Sequence, residues 1–501
     1  MFLPSDFVLS CKMNPRLPFD DAAWEKSDQI EDSWLDLLFD EDIYNEIGIF
    51  LAEQTCPRQW ADFKFFKSGG FNASFLMTFT DADTGDLLRL PLPGVHMFPE
   101  EKVRNEVSIM QFIAERTSQT MPIPVPMVSR WGKRNESPSN LGPFIIMDYI
   151  DHERSMSDLL ETPGRQSKQR PELNPDISTT KLKVLYRELA DIVFSLFTLS
   201  MNLIGSLKQT GKSTWEVAYR PLSISMNEIV RLGTLPRSKL PTATYDKASL
   251  YFEALTELHI SHFKHQRNNA IDSADDCRRN FVARFLFRKL VRDRKLRDKW
   301  ISHEHGPFPV WCDDFRPQNV MVDKTDKVVG VVDWEFTYTA PVEFTHAPPW
   351  WLLLEKPEYW NKGLDDWCAQ YEKRLQIFLQ AMMECEEDAY QTRNERLEES
   401  QRLSSRMRHS WESGDFWIMY AARNNFAFDA IYWNKIDQRF FGYNESDNIC
   451  DVWKKRLHLL EREEKESIEK YVDLKVRENE TRLLSWDPDQ YTLEYMAKME
   501  L

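Results

Sequence analysis

The chain has 501 residues, a net charge of −16 and an apolar share of 42%. That length supports two or three domains or lobes around a large core. The acid excess excludes a nucleic-acid binder that is basic overall, the 13% aromatic content excludes an acidic disordered chain, and no apolar run reaches the ~20 residues that span a bilayer.

Met1 to Ser10 is apolar but short, carries Asp6 and lacks a basic region, so no secretory signal is expected. The seven Cys are scattered, odd in number and without a CxxC pair. They predict reduced thiols in an intracellular, cytoplasmic protein with no membrane or nucleic-acid partner. Protein partners stay open.

In chain order, residues 20–55 have a helical pattern carried by Trp34, Leu35, Leu38, Ile43, Ile47 and Phe50. Three strands follow: one over Phe63 to Lys67, one over Phe71 to Thr80 after Ser68-Gly69-Gly70, and a third over Leu87 to Leu92 beyond a turn at Asp81 to Asp86. Glu100 to Glu115 has a helical stripe at Val103, Val107, Met110, Ile113 and Ala114. Two further strands are expected at Val128–Trp131 and Phe144–Ile150, giving β-β-β-α-β-β. Residues 153–180 are polar and predict a loop; Leu182 to Leu196 marks an amphipathic helix, and 245–300 two more. Val310 to Trp334 is β-like, and the chain beyond Trp350 is mostly helical, with a charged, exposed segment at Glu461 to Lys470.

The informative segment is Trp311-Cys312-Asp313-Asp314-Phe315-Arg316-Pro317-Gln318-Asn319 and the hairpin after it. Asn319 opens the strand Val320-Met321-Val322, and the chain returns as Val328 to Val332, ending in Asp333-Trp334-Glu335. Both strands have an end at the same side, so Asp314, Asn319 and Asp333 can converge. An acid, an amide and a second acid are what phosphoryl transfer needs. One carboxylate accepts the proton of an incoming hydroxyl, and the other two groups hold Mg²⁺ through hard oxygen atoms. Turn chemistry is the competing account, since Asp and Asn favour loop ends.

The D-x-x-x-x-N, hairpin, D-W-E pattern resembles the aminoglycoside phosphotransferase and choline kinase branch of the protein-kinase-like superfamily. GPFPVWCDDFRPQNV, VVGVVDWEFTYTAPVEF and HAPPWWLLLEKPEYW resemble a fungal subgroup of it, and SGGFN, LRLPLPG, RNEVSIMQF, FIIMDYI and FAFDAIYWNKIDQRFFG extend the likeness over about residues 45–445. The resemblance implies an α+β, two-lobed protein-kinase-like fold, with a small antiparallel-sheet N-lobe and a larger, mainly helical C-lobe. It divides the chain into an acidic extension (1–45), an N-lobe (46–151), a C-lobe with helical insert and catalytic hairpin (152–350) and a C-terminal helical part (351–501). It implies ATP or GTP as phosphate donor, Mg²⁺, and a small-molecule hydroxyl as acceptor. Asp314 is then the catalytic base, and Asn319 and Asp333 are the metal ligands. Ser68, Gly69 and Gly70 form the phosphate-covering turn. Arg89 stands where the family has a phosphate-contacting Lys, Glu106 is its ion-pair partner, and Met147 to Tyr149 is the hinge against the base.

Two departures stand out. The family loop H-G-D-x-H-x-x-N has Cys312 and Arg316 at its His positions, and Arg89 replaces a point charge with a rigid fork. They keep an alternative open: a pseudokinase or interaction scaffold that binds nucleotide without transfer.

Read without the resemblance, Ser68-Gly69-Gly70 is a plain hairpin turn, Arg89 an edge charge and Glu106 a helix-surface charge. His259, His262 and His265, three residues apart, predict a solvated helix face rather than a metal site. His303-Glu304-His305 predicts a turn, Cys312 a buried thiol, and Trp350-Trp351 core packing. Asp313 is expected to point away from Asp314 and bond the loop backbone, and Glu335 to form a salt bridge or begin a helix. The charge is uneven: residues 1–60 and 301–501 are acidic and 151–300 basic, most densely from Arg284 to Lys299. That segment predicts a solvated face or, alternatively, a surface for an acidic acceptor or for the acidic extension.

Overall fold

The computed structural model describes residues 18–55, 57–80, 82–117, 122–165, 169–393, 398–442 and 451–500. Asp20 starts the first helix, α1 (Asp21–Leu38), by accepting a hydrogen bond from the Ala23 amide at 3.0 Å. Its stripe of Ala23, Ile30, Trp34 and Leu38 is buried, as are Ile47 and Leu51 of α2 (Glu41–Thr55). Then come β1 (Trp60–Ser68), β2 (Asn72–Phe79), β3 (Ala82–Pro91), α3 (Pro99–Thr117), β4 (Val128–Gly132) and β5 (Phe144–Asp148). The five strands form one antiparallel sheet in the order β1-β2-β3-β5-β4.

The turn expected from Asp81 to Asp86 is displaced, because β3 already begins at Ala82 and Gly85 lies opposite Thr78. Asp81 itself lies outside the described residues. Gly85 belongs in the ladder for a steric reason: a Cβ there would sit 2.7 Å from the Met77 carbonyl oxygen.

Strand alternation sorts the sheet into two faces. Phe75, Met77, Leu88, Leu90, Phe144 and Ile146 turn outward into a core shared with α1 and α2. Each such side chain contributes roughly 1.5–3 kcal/mol on burial. The inner face carries Leu87, Arg89 and Met147, and α3 packs beneath it.

The helical body begins with β6 (Arg154–Ser155) and α4 (Met156–Leu160), inside the stretch expected to be loop. Ser155 and Asp158 make a reciprocal capping box there, and Met156 and Leu160 supply the buried anchors. Then follow α5 (Thr179–Thr198), β7 (Ser200–Met201), β8 (Ser206–Gly211), β9 (Thr214–Tyr219), α6 (Ile224–Arg231), α7 (Ala248–His265), α8 (Ala274–Arg292) and α9 (Arg294–Arg297). The loop-bearing segment is β10 (Phe308–Cys312), β11 (Val320–Val322), β12 (Val328–Val331) and β13 (Thr337–Thr339), with α10 (Val342–His346) behind it. The chain finishes with α11 (Leu364–Arg393), α12 (Leu403–Ser413), α13 (Asp415–Arg423), α14 (Phe428–Ile431), α15 (Asp437–Phe441), α16 (Val452–Arg456), α17 (Arg462–Asn479) and α18 (Gln490–Met499). The last helix returns to α1, where Trp34 Nε1 donates to the Tyr491 hydroxyl at 2.7 Å.

One further expectation is corrected and another holds in part. His259 and His262 of α7 are buried rather than solvated, packed on Phe428 and Phe426 with ring centroids 4.4 and 4.7 Å apart. Burial, then the Arg284 charge, pushes His262 down to about 3. Of the basic stretch from Arg284 to Lys299, Arg294, Lys295 and Lys299 are exposed, as a solvated face would be, whereas the α8 arginines are tied to acids of the helical body. Arg278 pairs with Glu469 and Arg288 with Glu464, both on α17, while Arg292 pairs with Glu253 of α7 and Arg284 with Asp429 of α14. No helix among the described residues is long and apolar enough to cross a membrane.

Candidate active site

The β11–β12 hairpin carries the polar set. Its strands pair with Val320 opposite Val331, so the chain entering at Asn319 and leaving at Val332 meets at one end, where the Val332 amide donates to the Asn319 carbonyl at 2.9 Å. Asn319 is buried, and its Nδ2 donates to the Asp314 carbonyl at 2.9 Å and to Asp314 Oδ2 at 3.3 Å. That use of Nδ2 leaves the amide Oδ1 for another partner. Asp333 follows the hairpin in the left-handed region, φ 58°. An L-residue there costs roughly 1–2 kcal/mol, and the conformation holds the carboxylate at the strand end.

Asp314, Asn319 and Asp333 line one cleft, about 1040 Å³ including its open mouth. Its roof is Gly69, Gly70 and Phe71, from the turn that joins β1 to β2, closed by the Gly69 amide donating to the Asn72 carbonyl at 2.9 Å. Ser68 is not part of that roof; it ends β1 opposite Ala73. Met147, Asp148, Tyr149 and Ile150 form the back edge. Two of their amides are already engaged, Asp148 with the Met127 carbonyl at 3.0 Å and Tyr149 with Gly85 at 2.8 Å.

Arg89 reaches the cleft from β3. Its Nη1 donates to Glu106 of α3 at 3.0 Å, and its Nη2 to Asp333 Oδ1 at 2.6 Å. The expected Arg89–Glu106 pair therefore exists, and Glu106 sits behind Arg89 rather than in the cleft wall. Burial works against the Arg89 charge, but Glu106, Asp333 and Glu335 together hold its pKa above the ordinary value.

Asp314 is in the opposite position. Burial raises its carboxyl, Arg316 Nε at 3.3 Å counters this, and Asp333 and Glu335 add to it, so it is pushed up to about 6. Its neighbour Asp313 turns the other way, as expected, but bonds α6 rather than the loop backbone. It accepts from Trp311 Nε1 at 2.8 Å and from the Ile224 amide at 3.1 Å, fixing the loop to the start of that helix. Cys312 is buried, and burial raises its thiol well above the usual range.

Lys102, Asn72 and His96 are not singled out by the sequence, and Glu335 stands outside the catalytic set it suggests. Lys102 is buried and reaches Glu106 at 2.7 Å, Glu335 at 2.9 Å and Asn72 Oδ1 at 2.7 Å. Asn72 Nδ2 donates to Glu335 at 3.2 Å, and His96 Nε2 lies 3.1 Å from the same carboxylate. Burial alone would raise Glu335, yet Lys102, then His96 and Arg89, hold it well below the carboxylate range. Burial keeps His96 neutral, so its Nε2 carries the proton and donates. The signal for Lys102 was its spacing: 102, 106, 109 and 113 share one helix face, and Ile109 and Ile113 are buried.

The donor set fits Mg²⁺. Asn319 Oδ1 and the Asp333 carboxylate are hard oxygens, and Asp333 is still 35% exposed despite its Arg89 bond. Among the described residues no group of three His, Cys, Asp or Glu side chains could hold a metal by itself. Magnesium is ordinarily completed by water and phosphate oxygens.

Comparison with known proteins adds the following. The model of the family described as "Phosphotransferase enzyme family" matches residues 245–347, the segment that contains Asp314, Asn319 and Asp333. No curated protein matches the chain. Among solved structures, aminoglycoside phosphotransferase APH(4)-Ia is 12% identical over 78% of this chain and 98% of that one, with a TM-score of 0.39. A putative fructosamine-3-kinase from Haemophilus somnus 129PT is 11% identical over 83% and 97%, TM-score 0.35. The ethanolamine kinase of Plasmodium vivax is 10% identical over 88% and 94%, TM-score 0.36.

Proposed function

We propose that the protein is a two-lobed, kinase-like phosphotransferase that moves the γ-phosphate of ATP or GTP to a hydroxyl of a small molecule. The observation that carries this reading is the meeting of Asp314, Asn319 and Asp333 at one hairpin end, facing a cleft roofed by the Gly69–Gly70 turn. The phosphotransferase-family match over that segment supports it.

The sheet contributes the donor side. The base lies against Met147 to Ile150, where the Ile150 amide is the first past β5 that donates to no backbone carbonyl among the described residues. The glycine turn lets backbone amides approach the phosphates without a side chain between. Arg89 supplies a fork for a phosphate oxygen once its Nη2 leaves or shares Asp333. Asn319 and Asp333 would hold Mg²⁺, which when bound neutralises charge on the phosphates.

The loop contributes the acceptor side. Asp314 orients the hydroxyl and takes its proton, and Asn319 fixes the carboxylate by donating to Oδ2. Arg316, at the second loop His position, keeps a cation 3.3 Å from Asp314 Oδ1. One observation favours a second reading, a nucleotide-binding scaffold without transfer: Arg89 occupies an oxygen of the proposed metal ligand Asp333 at 2.6 Å.

Single-turnover transfer from γ-labelled nucleotide into a small-molecule extract separates the two. Asp314→Ala should lower product formation by roughly 10²–10⁴-fold, and Asp333→Ala should lower it as well. Equal product from wild type and both variants sinks the kinase reading. Melting-temperature gains with MgATP or MgGTP, without any labelled product, would favour the scaffold.

A further inference from the structure

A second cavity, sharing no lining residue with the cleft, lies at the far end of β10 and encloses about 830 Å³ with its mouth. It is bounded by Phe197 at the end of α5, His303 and Pro307 ahead of β10, Val342 and His346 of α10, and Arg406 of α12. None of the described residues lining it is a carboxylate.

Arg406 is the unusual member. Most arginines of the helical body are matched to acids, such as Arg402 to Glu387 and Arg439 to Asp415. The Arg406 guanidinium makes no ion pair or hydrogen bond among the described residues and faces two adjoining cavities. His346 lines the same two cavities, is 9% exposed, and its ring nitrogens have no protein partner among the described residues. His303 meets the His346 ring edge to face, with centroids 5.6 Å apart, and holds Ser302 Oγ with Nδ1 at 2.8 Å, which leaves Nε2 for the cavity. Glu343 lines the adjoining cavity rather than this one; its Oε1 accepts from the Ser302 and His303 amides at 2.7 and 3.0 Å, and burial raises its pKa.

We propose that this cavity is a binding site for a phosphate group, held by the Arg406 fork with imidazole donors from His346 and His303. A guanidinium matches two oxygens of such an anion at once. Phe197, Pro307 and Val342 give the cavity an apolar wall, which suits a phosphate monoester with an apolar substituent better than free phosphate. Burial, then His303 and Arg406, pushes the His346 ring down to about 3, so at neutral pH it is uncharged and donates one N–H. The site is independent of the phosphotransfer reading.

Calorimetric titration of the full chain with inorganic phosphate and with phenyl phosphate tests this, using wild type, Arg406→Gln and Arg89→Gln. Wild type should bind phenyl phosphate more tightly than phosphate, and Arg406→Gln should weaken it roughly tenfold or more. Arg89→Gln, in the other cleft, should leave that event in place. Arg406→Lys covers the case in which the Gln variant melts early; it should bind at an intermediate level, since an ammonium cannot form the fork. No binding to wild type, or binding lost with Arg89→Gln and kept with Arg406→Gln, overturns the proposal.

Discussion

The two walls of the cleft treat charge differently. On the sheet side the buried charges answer one another: Arg89 meets Glu106, and Lys102 meets Glu106 and Glu335 in a chain that also holds Asn72 and His96. On the loop side, Asp314 has only a half-exposed arginine near it, and its carboxyl is pushed up to about 6. Asp333 is shared between the walls through Arg89. The sheet wall is therefore a rigid platform whose ions satisfy each other, whereas the loop wall carries uncompensated negative charge. A phosphotransferase would use that difference, because the buried sheet ions are already neutralised whereas the loop carboxylates can still attract an incoming cation.

The largest expected effect comes from breaking the sheet wall. Lys102→Met removes a cation from between two buried carboxylates and should cost roughly 3–5 kcal/mol. Chemical denaturation measures this, and the Lys102→Met/Glu335→Gln double variant should recover part of the loss by removing one stranded charge. A single variant as stable as wild type would show that the wall is not held by Lys102.

The next effect sharpens the loop side. In chelator and without nucleotide, the folded pKa of Asp314, about 6, lies above its ordinary 3.8, so folding favours the protonated form. The stability this group contributes is full below pH 3.8 and is lost as pH rises through about 6. Asp314→Asn should therefore melt higher than wild type at pH 8, by up to roughly 3 kcal/mol, and the gain should shrink toward pH 4. A pH-independent difference would mean that the carboxylate is not disfavoured in the folded protein.

The same contrast governs what the sequence could reveal. The loop wall was legible because its residues are local: Asp314, Asn319 and Asp333 lie within twenty positions, and the hairpin between them dictates their convergence. The five-strand sheet with α3 inserted was legible from alternation and from the stripe on residues 100–115. The sheet wall was only half legible. Arg89 and Glu106 came from resemblance, and Lys102 and Asn72 were missed because their partner Glu335 is more than 230 positions away. The His row on α7 failed for a related reason. Spacing gives the angle around a helix but not what packs there, and Phe426 and Phe428 come from the distant α14 region.

The smallest effect isolates the backbone at the point where the walls join. Asp333→Ala and Asp333→Gly both lose the Arg89 ion pair, so that loss cancels in their difference. What remains is the left-handed conformation at φ 58°, which glycine adopts freely and alanine does not. Asp333→Gly should therefore be more stable than Asp333→Ala by about 1 kcal/mol, measured by denaturant midpoint in chelator. The entropy of an added glycine in the unfolded chain works against this, so glycine is the more stable only where the native strain of alanine outweighs that entropy. If alanine proves the more stable, Asp333 is not held at positive φ. Its carboxylate would then reach the cleft from an ordinary strand end, and the loop wall would lose a strained residue at the point where it meets the sheet.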